Sequence, residues 1–108
     1  MSSPRARSSA RHCQATLRRL VSIHRVQSET NAIAGRIGEN IRGRRERLLY
    51  QLDELARRAE LQEHTLWRIE RGTIMPSVLN LVHLADVLEC RPGDLLNGVS
   101  ATMDGDAG

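Results

Sequence analysis

Apolar residues recur along most of this chain at the three- and four-residue spacing of amphipathic helices, and nowhere at the alternating spacing of a strand. The clearest series is Ile33, Ile37 and Ile41, one stripe that predicts a helix over about 33–47. Arg36, Arg42, Arg44, Arg45 and Arg47 fall on its outer side. Upstream, Leu17, Leu20, Val21 and His24 share a weaker face and predict a helix over 14–27. Ser28, Thr30 and Asn31 then interrupt the pattern and are placed to cap the next element. Residues 1–12 have no periodicity and read as disordered.

Downstream the elements are short. A helix is expected over 52–59, with Leu55, Ala56 and Ala59 inward and Asp53 and Glu54 in the first turn, where the helix dipole favours acids. Gln51 stands at its cap position, where Ser or Thr would serve better. Glu60-Leu61-Gln62 leads into a helix over 63–70, with Leu66 and Ile69 inward. Arg71-Gly72 ends it, Gly72 being suited to a left-handed stop. Ser77 is a good N-cap for a helix over 78–89, whose expected inward set is Val78, Leu81, Val82, Ala85 and Leu88. Pro92 suits the first turn of a short fifth helix over 92–96, which Asn97-Gly98 stops. Residues 99–108 read as a flexible tail.

Composition narrows this picture. With 108 residues there is room for one small domain and its tails. Phe is absent, and Trp67 and Tyr50 are the only aromatics. The core must come from Leu, Ile, Val and Ala, which favours an all-α fold. No stretch approaches the roughly 20 apolar residues of a membrane span, and no apolar run of secretory type opens the chain. Two cysteines, Cys13 and Cys90, are too few for a disulfide scaffold and point to a reduced, cytoplasmic protein.

Charge is distributed unevenly. All 16 basic residues are arginine, a usage that a GC-rich genome would also produce. Residues 1–33 carry six Arg and one acid, Glu29, for +5; residues 34–100 are neutral; Asp104 and Asp106 make the end −2. The surplus sits in a Ser- and Arg-rich N-terminal arm. Such an arm neutralises phosphates, or is a solvated tail, or is residue left by a wrongly chosen start; its composition also fits a transit peptide.

Catalytic chemistry finds no footing. There is no nucleophile elbow, no phosphate loop and no two-metal carboxylate set. His12, Cys13, His24, His64, His83 and Cys90 lack zinc-site spacing. No enzyme activity, metal or cofactor is expected.

Short helices with a three-residue turn between the second and third have the arithmetic of a helix-turn-helix. Ile37-Gly38-Glu39-Asn40-Ile41, Arg45, Glu54-Leu55-Ala56, Ile69-Glu70-Arg71-Gly72, Pro76-Ser77 and Leu84-Ala85-Asp86-Val87-Leu88 follow in order without gaps. Across residues 37–96 the chain resembles the phage repressor and Cro family, or XRE family. The resemblance implies a five-helix DNA-binding domain over 34–98, preceded by the basic arm 1–33. It implies base reading by Glu63, His64, Trp67 and Arg68. Gln51, Gln62, Thr65 and Arg71 would lie near backbone or base edges. Arg45, Glu70, Gly72 and Pro76 take structural roles, with Arg45 and Glu70 as an internal ion pair.

Arg68 is the best single base reader, because Arg pairs bidentately with guanine. Its alternative is an ion pair with Glu63 or Glu70, and that of Trp67 is packing over the domain or a partner. The chain departs from the family in places: Leu52 replaces the usual phosphate-clamping Gln, Glu60 the usual turn Gly, and Leu79 a usual polar residue. A left-handed Glu60 would cost about 1 kcal/mol or more.

Two functions follow as expectations. One is a sequence-specific transcriptional regulator or repressor, a homodimer on double-stranded DNA whose dimer surface uses Leu95, Leu96 and Val99 or the arm helix. The other is an antitoxin-type module controlled by a protein partner such as a toxin or regulator.

Overall fold

The computed structural model describes residues 4–101, with side chains from Val26 onward. Four α-helices and one 3-10 turn make up the ordered elements, and no strand occurs among the described residues. The helices are α1 (Pro4–Arg47), α2 (Leu52–Arg58), α3 (Glu63–Arg71) and α4 (Val78–Val87). The expected fifth helix is the 3-10 turn Pro92–Leu96, opened by the Arg91 amide donating to Asp94 Oδ2 at 3.0 Å.

The beginning of the chain departs from expectation. Two helices with a break at Ser28–Asn31 were the reading; α1 is continuous through them. Thr30 does not cap a new helix, because its hydroxyl donates back to the Val26 carbonyl at 2.8 Å. That bond satisfies the side chain inside the helix, as Thr hydroxyls do. No proline follows Pro4 in α1 to break it. The helix begins at Pro4, so residues 4–12 of the segment read as disordered are helical. At 1.5 Å per residue α1 is about 66 Å long.

The core gathers where α1 meets the short elements. Ile37, Ile41, Leu55, Ala56, Ala59, Leu66, Ile69, Leu81, Leu84, Ala85, Leu88 and Leu95 are buried together. Ile33 and Val99 pack against them, so Val99 is part of the domain and not of a tail. The rest of the tail expected beyond Ala101 lies outside the described residues.

The structure overturns two expectations. On α4 the inward stripe is Leu81, Leu84, Ala85 and Leu88, while Val78 and Val82 are 76% and 44% exposed. The helix is apolar on nearly every side, so periodicity alone left its rotation open. Ser77 starts it by accepting from the Asn80 amide at 3.0 Å. Leu95 is fully buried and therefore cannot form a dimer surface.

α1 and α3 approach closely because glycine separates them. A Cβ on Gly38 would stand 2.6 Å from the Glu70 carbonyl oxygen, and one on Gly72 would stand 2.7 Å from Gly35 Cα. Every α-helix ends in the same way. The amides of Tyr50, Leu61, Thr73 and Cys90 reach carbonyls five residues back, across Leu49, Glu60, Gly72 and Glu89 in left-handed conformation. These are Schellman endings, and only one uses glycine.

Candidate nucleic-acid interface

The α2–turn–α3 unit presents the polar face that the resemblance singles out. Leu66 and Ile69 anchor α3 in the core, and Thr65 is half-buried beside them. Glu63, His64, Trp67, Arg68 and Arg71 are all exposed on the opposite side. The spacing follows from the helical period: burial of two residues three apart leaves the others in a single outward band. Gln51 and Gln62 precede α2 and α3 as N-cap residues, and neither side chain caps its helix. Both are exposed beside the turn.

Trp67 is held in place from two neighbouring turns. The His64 ring stacks with it at 5.8 Å between centroids and 12° between planes. The Arg71 guanidinium carbon lies 4.8 Å from the Trp67 ring centre. Such cation–π contacts are worth about 0.5–1 kcal/mol at exposed sites. The three residues make a ladder along α3.

Arg68 is exposed and has no ion pair among the described residues. Its alternative partner Glu70 is taken. Arg45 Nε donates to Glu70 Oε2 at 2.7 Å and Nη2 donates to Oε1 at 3.0 Å. Arg45 Nη1 also donates to the Tyr50 carbonyl at 3.1 Å. The two side chains are only 16% and 7% exposed. The hydrogen bond to Glu70 holds the Arg45 guanidinium above its ordinary pKa, against the opposing effect of burial. One arginine thus ties the end of α1, the end of α3 and the lead into α2. Pro76 is buried in the loop that follows.

Sequence reasoning did not bring Leu52 to this face as part of a site. It and Trp67 border two adjoining clefts. One, of about 340 Å³, is lined by Leu52, Glu63, His64 and Trp67; the other, of about 280 Å³, by Arg42, Arg45, Leu52, Trp67, Glu70 and Arg71. The signal was the apolar residue at a position where a polar one was expected. The surface therefore combines unpaired cations, a fixed indole and an apolar wall, which suits hydrogen bonding and apolar contact to base edges.

A family model of the Cro/C1-type HTH DNA-binding domain matches residues 44–99, just over half of the chain. No curated protein matches the chain.

Proposed function

The chain belongs to the Cro/C1-type helix-turn-helix DNA-binding family, and from that premise we propose that it is a sequence-specific transcriptional regulator acting in the cytoplasm. It binds as a homodimer to an operator with two half-sites, each read by α3 in the major groove. The observation that supports this best is Arg68, exposed on α3 with no ion pair among the described residues. Its fork matches guanine O6 and N7, and a good bidentate pair contributes about 1–3 kcal/mol of discrimination. His64 and Glu63 offer further polar contacts from the first turn, and Gln51, Gln62, Thr65 and Arg71 lie within the same face or at its edges.

Dimerisation is part of the proposal because one small head has a limited footprint, and paired heads read half-sites about 34–36 Å apart. With Leu95 in the core, the surface for a second copy falls to half-exposed Leu96 and to the arm. A second reading, control by a protein partner such as a toxin, draws on the exposed apolar side chains Val78, Leu79 and Val82 of α4.

The test is Arg68→Ala, assayed on the operator selected by the full-length protein and on random duplex. Loss of about 10-fold or more on the operator, with little change on random DNA, is expected. Equal losses on both would remove Arg68 from base reading.

A further inference from the structure

The cleft between α2 and α3 joins a carboxylate to two apolar walls, an odd combination for a surface that faces a polyanion. Glu63 is exposed there and has no ion pair among the described residues. An ionised carboxylate only accepts hydrogen bonds. In the major groove, guanine offers acceptors and thymine offers O4, so both repel it. Adenine sets an acceptor, N7, beside its amino group. Cytosine offers N4–H alone and is the edge that Glu63 fits best.

The carbon beside that amino group is C5, which points into the same groove. Leu52 and Trp67 line the cleft with Glu63 and His64 and supply apolar surface for a group on C5. The indole is a firm wall, because His64 stacks with it and Arg71 lies over it. Leu52 is half-buried at the start of α2, so its position is set by the fold.

We propose that Glu63, Leu52 and Trp67 form a reading site for 5-methylcytosine, Glu63 accepting from N4 while Leu52 and Trp67 enclose the 5-methyl group. The inference rests on the reading that α3 enters the major groove. Thymine brings the methyl group but sets O4 against the carboxylate. Unmodified cytosine brings the amino group but leaves the apolar walls against water. Only the methylated base satisfies both halves of the cleft. Burial of one methyl group corresponds to roughly a fourfold gain in affinity.

The experiment uses full-length protein and two random duplex libraries, one made with dCTP and one with 5-methyl-dCTP. The enriched duplex is then compared with cytosine, 5-methylcytosine or thymine at each position. The expected result is one position per half-site where 5-methylcytosine binds about fourfold more tightly than cytosine, and thymine binds more weakly than 5-methylcytosine. Glu63→Gln, a change at an exposed site, should abolish the discrimination against thymine. Leu52→Ala and Trp67→Ala, checked for helicity by circular dichroism, should bring the ratio of methylated to unmodified binding to one. The same motif in both libraries with no position favouring the methylated base would overturn this inference and leave operator reading intact. A methyl preference unchanged in all three variants would overturn the assignment of these residues. No enriched motif in either library would overturn both the inference and the operator reading beneath it.

Discussion

Arg45 shows how far one side chain can organise this domain. Its guanidinium donates to both Glu70 oxygens and to the Tyr50 carbonyl, so three chain segments meet on one group. Removing it strands a carboxylate whose side chain is only 7% exposed. Breaking one partner of a fully buried pair costs about 3–5 kcal/mol, because the remaining charge is left without compensation, and a part-buried pair costs less. Arg45→Met should therefore lower unfolding stability by about 1–2 kcal/mol in urea titration. Adding Glu70→Leu to it should recover part of that loss. The pKa of Arg45 is raised, so its contribution is complete below the unfolded value and declines only as pH rises through the still higher folded value. This group gives no loss of stability near neutrality.

At the level of elements, helix endings matter more than helix interiors. Leu49, Glu60 and Glu89 adopt φ of 60°, 60° and 58°, where a Cβ crowds the backbone. Glu60 lies in the turn between α2 and α3, so its strain is borne where the chain enters α3. Left-handed backbone costs a non-glycine residue about 1–2 kcal/mol. Glu60→Gly should raise stability by about 1 kcal/mol, measured as a higher urea midpoint at unchanged slope. An unchanged midpoint would mean that glycine's greater freedom in the unfolded chain offsets the relief. Gly38 and Gly72 act in the opposite sense: α1 and α3 can cross so closely only where no Cβ intervenes.

For the whole molecule, the question is what the long first helix adds to the domain. The core takes no residue before Ile33 among the described side chains, whereas residues 1–33 carry a charge of +5. If that charge lies along phosphates, each neutralised phosphate adds about 0.9 to the slope of log affinity against log salt. Deletion of residues 1–33 should then weaken binding to every duplex and flatten the slope by up to about 5. An unchanged slope in a salt titration of the truncated protein would assign the arm to another role.

The helical class, the starts of α2, α3, α4 and the 3-10 turn, and the turn between α2 and α3 were legible in the sequence. These depend on local chemistry: the spacing of Ile37 and Ile41, the Ser77 cap, and Gly72 at a left-handed stop. The polar band from Glu63 to Arg71 was also legible, since two core residues on so short a helix dictate which side faces out. The rest came from packing between elements. The structure continued α1 through Ser28–Asn31, where Thr30 bonds back along its own helix. It rotated α4 to bury Leu84 instead of Val78, because a helix apolar all round takes its orientation from the elements it packs against. It placed Leu52 beside Trp67, two apolar residues from different helices whose meeting is set by the crossing of α2 and α3 and by no local periodicity.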